Sequence, residues 1–395
     1  CRFFVEAGHQ VAVVTTFPFY PDLPRESRYT GRWFLTERLD GMVVHRCFSY
    51  MPRRWNVRGR IAHEVSFTLG LVPRATTLRA DVWVVVSPSF APAVAATALA
   101  RLRGIPVAVH LQDLQPDAAA HLGMIRNSLV LGGLYWAERW LYRQAALVSA
   151  LDDAMRARIV AKGVPPDRVV VFPNWVDLDL AAPAGRGRAF RVEHGFGDQF
   201  LVVYSGSMGV KHGLELILNV AAVAVEDPGV RFVLIGDGAA RDDLARAARE
   251  RQLANVTFLP VQPVERFPGV IAASDVSLIP QRPEVRDLVL PSKVLRVLAG
   301  GSPIVAAAHP DSGLAHALRQ AGAGLVVPRD DPRVVWEAIQ QLKANPERRA
   351  TMGDRGRAYA AAHFARPTVL GRYLRRLEAL VAPSPAAAAR DARRG

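Results

Sequence analysis

Short runs rich in β-branched residues recur along the whole chain, and stretches of helical periodicity separate most of them. A first series comprises "VAVVTT" (11–16), "MVVHR" (42–46), "VWVVVS" (82–87), "VAVHL" (107–111), "LVSAL" (147–151) and "VVVFP" (169–173). A second comprises "LVVYSG" (201–206), "FVLIG" (232–236), "VTFLP" (256–260), "VSLIP" (276–280), "PIVAA" (303–307) and "GLVVP" (324–328). Continuous apolar strands alternating with helices such as "RDDLARAARERQLA" (241–254) predict parallel sheets covered on both faces. The second series predicts a six-strand doubly wound sheet. The first predicts five or six strands, with one more expected ahead of Cys1, because position 1 already reads as helix.

Between the two series lies a Gly-, Arg- and Pro-rich stretch of weak periodicity, which reads as a linker. The expected organisation is an α/β chain of two Rossmann-like domains: 1–180, a linker at 181–198, and 199–365. An amphipathic helix at 366–382 crosses back to the first domain, and 383–395 forms a disordered tail. The length, 395 residues, exceeds what one core organises and agrees with two domains. Such domains face a cleft, and clefts and the C-terminal ends of parallel strands are where ligands bind.

Composition adds charge to this picture. Fifty basic against 36 acidic residues leave +14, which favours anionic partners. The stretch "SYMPRRWNVRGRIAHEVSFTLG" (49–70) sets basic residues beside Trp55 and an amphipathic run; it reads either as membrane-surface contact or as a solvated helix packed on its own domain. The apolar stretch 82–100 is broken by Ser87, Pro88, Ser89 and Pro92 and reads as strand plus helix, not a membrane span. Cys1 and Cys47 form no disulfide framework and no zinc pattern, which fits a reducing cytosol.

Candidate chemistry gathers in the second half. "LVVYS" runs into "GSMGVKHG" (206–213) and then a helix, so Gly206, Gly209 and Gly213 allow a sharp turn and free helix N–H groups face a ligand, with Lys211 adding charge. Neither a Walker A loop nor a G-x-G-x-x-G fingerprint is present. A second helix opens at Pro291 in "LVLPSKVLRVLAGGSPIVA" (288–306) and carries Lys293 in its first turn, where a cation loses roughly 0.3–1 kcal/mol unless an anion sits there. "IGDG" (235–238) is a third glycine-bearing strand end, at which Gly236 and Gly238 fit either a tight turn or close passage of a nucleotide. Together these ends predict a clasp for a nucleotide diphosphate. In the first half, "HLQDLQPDAAAHLGM" (110–124) places His110, Gln112, Asp113 and Asp117 where a strand opens. Asp113 fits a hydroxyl-rich ligand or a helix N-cap, and His110 a buried, satisfied histidine.

These stretches, with "AGHQVAVVTTFPFYP" (7–21), "FPNWVD" (172–177) and "IPQRPEVRDLVLPSKVLRVLAGGSPIVA" (279–306), resemble glycosyltransferase family 4, of the GT-B fold, over about residues 5 to 380. The resemblance is nearest to enzymes of bacterial colanic-acid, capsule and O-antigen assembly. It implies a retaining, metal-independent transferase without a cofactor, moving a sugar from a nucleotide-diphosphate donor to a glycan or lipid-linked diphosphate-sugar acceptor. It implies a cytoplasmic protein, peripheral at an anionic inner membrane face, with no nucleic acid as partner. It places Gly206, Ser207, Gly209, Gly236, Asp237, Gly238, Gln281, Arg282, Pro291 and Ser292 on the donor. Gln112 and Asn174 fall on the acceptor side, and Lys211, Lys293 and Asp113 at the reacting groups. The family's Glu pair falls at Leu288 and Arg296, neither acidic; Glu284 and Asp287 lie nearby. Remaining alternatives are a metal site at Asp177–Asp179, a sugar-nucleotide epimerase, an inactive membrane-bound scaffold and a basic nucleic-acid binder without a recognised motif.

Overall fold

The structure is a computed structural model. It describes residues 1–18, 29–52, 57–87, 89–114, 116–117, 127–178, 185–209, 212–282 and 292–381. The chain forms two compact units, Cys1–Phe172 joined by the chain from Leu370, and Pro173–Val369. The first unit carries β1 (Ala12–Thr16), β2 (Phe34–Leu39), β3 (Met42–Cys47), β4 (Trp83–Ser87), β5 (Val107–Leu111), β6 (Leu147–Ala150) and β7 (Val169–Val171). Its helices are α1 (Arg2–Glu6), α2 (Val57–Thr77), α3 (Phe90–Leu102), α4 (Ser128–Gln144) and α5 (Asp153–Ala161).

The second unit begins with α6 (Arg186–Glu193) and β8 (Phe200–Ser205). There follow α7 (Glu215–Val223), β9 (Val230–Ile235), α8 (Arg241–Glu250), β10 (Val256–Leu259), α9 (Phe267–Ala273) and β11 (Val276–Pro280). Then come α10 (Ser292–Gly300), β12 (Ile304–Ala307), α11 (Gly313–Ala321), β13 (Gly324–Val327), α12 (Pro332–Lys343) and α13 (Pro346–Phe364). The last helix, α14 (Arg366–Val381), leaves this unit and continues into the first.

All six runs of the second series are strands of one parallel sheet, in the order β10-β9-β8-β11-β12-β13. Counted within the unit this is 3-2-1-4-5-6, the Rossmann order, whose direction reverses between β8 and β11. The alternation along β8 is what both faces of the sheet need. Val202 and Tyr204 enter one apolar cluster with Leu216, Ile217 and Val220 of α7 and Val335, Trp336 and Ile339 of α12. Leu201 and Val203 enter another with Phe190 and Phe196. Each fully buried side chain of this size contributes roughly 1.5–3 kcal/mol, so the sheet and its two covers form as one body.

Two features of the fold were not legible in the sequence pattern. The stretch read as linker holds helix α6, which packs on α9. A Cβ on Gly187 would come within 2.5 Å of the Ala272 carbonyl oxygen, and one on Gly269 within 3.4 Å of that of Arg186. The glycines that read as breakers are the flat faces that let two helices touch. The described strands of the first unit fall into two sheets. One is a four-stranded parallel sheet, β4-β5-β6-β7, and the other a separate three-stranded one, β1-β3-β2. In the latter, β2 runs antiparallel to β3. Asp40 (φ 49°) and Gly41 (φ 77°) form the two-residue turn, the left-handed pair a tight hairpin demands.

The apolar stretch 82–100 resolves into β4 and most of α3, and no helix among the described residues is long and apolar enough to cross a membrane. Cys1 is exposed, whereas Cys47 on β3 is fully buried and burial pushes its thiol up to about 11. All of 383–395, like the region of Arg53, Arg54 and Trp55, lies outside the described residues.

Candidate active site at the strand ends

The strand order reverses between β8 and β11, and the carboxyl ends of the strands at such a point are the usual ligand position in an open α/β sheet. The loop leaving β8 is fastened at once to the loop leaving β9. Gly206 N donates to Ile235 O at 2.9 Å, Met208 N to Asp237 O at 2.8 Å, and Ala240 N to Met208 O at 2.9 Å. This contact explains two glycines without a ligand. A Cβ on Gly236 would run into the Gly206 carbonyl, and one on Gly238 would sit 2.7–2.9 Å from the Met208 backbone. Gly209 is under no such demand, since its nearest neighbours would be 3.8 Å away. Asp237 is exposed and its Oδ1 accepts from Gly238 N at 2.8 Å.

Lys293 does not simply point into water. It lies in the first turn of α10, is half-buried, and donates from Nζ to the Tyr204 hydroxyl at 2.8 Å, with the ammonium 4.8 Å from the centre of that ring. Tyr204, 2% exposed, donates in turn to Ser207 O at 2.7 Å. Burial raises the phenol above its ordinary range, so it stays protonated beside the lysine. The ammonium therefore stands at the mouth of β8, 3.4 Å from where a Cβ on Gly206 would lie. Tyr204 was missed in the sequence because it reads as one more apolar strand residue.

Beyond β11, Gln281 is buried, its N–H donates to Ala307 O at 2.9 Å, and its side-chain Oε1 has no partner among the described residues. A buried acceptor left bare costs about 1–3 kcal/mol, which suits a position that a ligand donor completes. Arg282 donates to Glu215 Oε1 at 3.0 Å. Arg329, which follows β13, reaches the Gly213 carbonyl at 3.2 Å. Lys211 and Pro291 lie outside the described residues, as does the side chain of Ser292.

In the first unit, His110 on β5 is the satisfied core histidine. Gln112 Nε2 donates to its Nε2 at 2.5 Å, so its proton sits on Nδ1 and goes to Ser149 Oγ at 2.9 Å. Burial lowers its pKa to about 4. Phe172 meets the ring edge-on and stacks in parallel with Tyr373 of α14 at 4.0 Å. Asp117 is held by Lys162 at 2.8 Å, and the same ammonium meets the fully buried Glu138 at 2.5 Å, whose other oxygen accepts from Tyr142 at 2.8 Å. Asp113 is exposed beyond β5; Asn174 is half-buried and belongs to the second unit.

Comparison with known proteins agrees with this fold. Residues 1–175 match the family described as "Glycosyl transferase 4-like domain", and residues 187–359 match "Glycosyl transferases group 1". The chain belongs to glycosyltransferase family 4. It is an enzyme, a glycosyltransferase of GT-B fold. It is 28% identical over 316 residues, 76% of each chain, to a glycosyl transferase of Escherichia coli named for colanic acid biosynthesis, WcaI. It is 26% identical to the α-D-kanosaminyltransferase of Streptomyces kanamyceticus, over 68% of this chain and 69% of that one. Among solved structures, Anabaena HepE in complex with UDP aligns over 94% of this chain and all of its own, with TM-score 0.68 and 16% identity. Sucrose-phosphate synthase from Thermosynechococcus elongatus aligns over 95% and 91%, with TM-score 0.71 and 19% identity.

In this glycosyltransferase the two positions of the family's Glu pair are not equivalent. Leu288 lies outside the described residues, as do Glu284 and Asp287, whereas Arg296 is exposed on α10 with its guanidinium 5.6 Å from the Phe267 ring centre. Asp177, half of the Asp-x-Asp spacing, pairs with Arg366 at 3.6 Å, and Asp179 is not among the described residues.

Proposed function

We propose that the second unit binds a nucleotide-diphosphate sugar at the β8/β11 strand ends and that Lys293 neutralises the diphosphate as it leaves. The carrying observation is the placement of Lys293: in the first turn of one helix, held by Tyr204 at the mouth of another strand, beside Gly206. A cation fixed where negative charge develops lowers the barrier without reorganising during the reaction. HepE, a structural neighbour, was solved with UDP-glucose and with UDP, which fits a nucleotide-sugar donor here. Gly206, Ser207, Gly236, Asp237, Gly238, Gln281 and Arg282 line the strand ends around that donor; Lys211, Gly209, Pro291 and Ser292 complete it in sequence. Transfer proceeds with retention and without a metal. The bond from the anomeric carbon to the phosphate oxygen breaks, the bond to the acceptor oxygen forms on the same face, and the departing phosphate oxygen takes the acceptor's proton. On the acceptor side, Gln112 and Asp113 follow β5 in the first unit and offer partners to a hydroxyl-rich ligand.

The acceptor is a lipid-linked diphosphate sugar of cell-surface polysaccharide synthesis, colanic-acid, capsule or O-antigen in type, met at an anionic inner membrane face. Supporting this is α2, whose outward row, Ile61, Val65 and Leu69, is 57%, 47% and 71% exposed. Residues four apart share one helix face, so this helix is apolar outside as well as toward its core. Trp33 and Phe34 are exposed too, with Phe34 reaching the neighbourhood of Gly70 on α2. Arg58 and Arg60 stand at the start of the same helix. Apolar anchors with basic neighbours suit an anionic lipid surface.

A thermal-shift panel of UDP-, GDP- and dTDP-sugars tests the donor reading, followed by nucleotide release with and without acceptor in the presence of a chelator. Stabilisation by one donor class and acceptor-dependent release that survives chelation are expected. Release independent of acceptor points to an epimerase instead, and loss of activity on chelation refutes the metal-free mechanism.

A further inference from the structure

Arg329 lies outside every motif of the sequence and outside the donor set above, yet it touches the glycine-rich loop. Helices α7 and α12 pack side by side through Ile217, Val335, Trp336 and Ile339, which brings their first turns together. Arg329 sits three residues before α12, whose N-terminus is capped by Asp331. Its Nη2 donates to the carbonyl of Gly213, the last loop residue before Leu214 and α7. Gly213 is left-handed (φ 62°), and a side chain there would strike the Arg329 guanidinium and come within 2.9 Å of Arg282 Cγ. Glycine is therefore required twice over, by its backbone angle and by two arginines crossing against it.

Such a glycine is also a pivot, with no side chain to restrain it. The near end of the loop is fixed by the Gly206 and Met208 bonds to the β9 loop. At the far end, Arg329 holds the Gly213 carbonyl while Arg282 holds Glu215, the first residue of α7. Two cations at the start of a helix are disfavoured by its dipole; a mechanical role on the loop accounts for the one on Gly213. We propose that Arg329 is a positioning residue that holds Gly213 and the entry to α7 in the orientation that receives the donor diphosphate. This rests on the reading of the 206–213 loop as the donor site.

Arg329→Ala, Arg329→Lys and the parent enzyme are compared by hydrogen exchange without ligand. They are then titrated with UDP, GDP and dTDP, and KM is measured separately for donor and acceptor. In Arg329→Ala the amides from His212 to Leu216 are expected to exchange faster, while those of Gly206 and Met208, bonded to the β9 loop, keep their protection. Nucleoside-diphosphate affinity is expected to fall and donor KM to rise about tenfold, the weight of one charge-assisted hydrogen bond. Acceptor KM and melting temperature stay within error, and Arg329→Lys restores most of the affinity. Unchanged exchange in Arg329→Ala overturns the clamp. Faster exchange with unchanged donor KM overturns its role in donor binding. If the parent binds none of the three nucleotides, the donor reading fails, and the exchange result alone still decides the clamp.

Discussion

Lys293 illustrates how one side chain can carry both a packing and a chemical role. Its bond to Tyr204 and its seat on that ring are local contacts, whereas its charge is the group argued to meet the leaving diphosphate. The two roles separate by mutation. Lys293→Ala should slow transfer at least tenfold, since losing a transition-state donor costs about 2.7–4 kcal/mol. Tyr204→Phe keeps the charge and loses two hydrogen bonds, about 0.5–1.5 kcal/mol each, neither of them to the leaving group, so its turnover should stay closer to the parent's. Equal turnover of Lys293→Ala and parent in a steady-state assay would remove the lysine from the mechanism. His110 makes a different kind of claim. Folded, its pKa is about 4; unfolded, it is about 6.5. Between these values the unfolded chain binds more protons, so stability is full above about pH 6.5 and declines as pH falls toward 4. His45, lowered by burial and by Arg74, acts in the same direction. Urea unfolding at pH 7 and pH 5 should show a lower midpoint at pH 5, and His110→Gln should narrow the gap. At this scale the sequence disclosed the lysine as an oddity of its helix and His110 as a core residue. Tyr204 and Arg329 stayed hidden because their partners lie 89 and 116 positions away.

Elements were legible where their pattern was unmixed. The twelve apolar runs are all strands because buried parallel strands are apolar on both faces, and no other element so short reads that way. Strand β2 escaped because Thr36, Glu37 and Arg38 break its apolar run, though Asp40-Gly41 marks a hairpin turn. Helix α6 escaped because Gly187, needed for contact with α9, imitates a loop signal. The connection of α4, α5 and residue 117 through Lys162 was equally invisible, and it offers a stability test. Glu138 is fully buried, so Lys162→Met strands a carboxylate and should cost about 3–5 kcal/mol. Adding Glu138→Leu should recover much of that loss in the same denaturation assay. If the double variant is as unstable as the single one, the ammonium's charge is not what matters there.

For the whole molecule the +14 charge and the outward row of α2 belong together. Co-sedimentation with vesicles of mixed neutral and acidic phospholipid should retain the enzyme at low salt and release part of it as salt rises. An Ile61→Ser, Val65→Ser, Leu69→Ser triple variant should bind several-fold more weakly with unchanged nucleotide affinity. Equal binding to purely neutral vesicles would exclude the electrostatic half of this account, and equal binding by the triple variant the apolar half.

The two cysteines give the enzyme a built-in gauge. Cys47, the last residue of β3, is sealed under α2 with a thiol raised to about 11, while Cys1 stands in solvent. A maleimide dye should therefore label one position in the native state. Incorporation of a second dye then clocks the opening of the first unit, by mass spectrometry and with no engineered residue, independently of the second unit, which carries no cysteine.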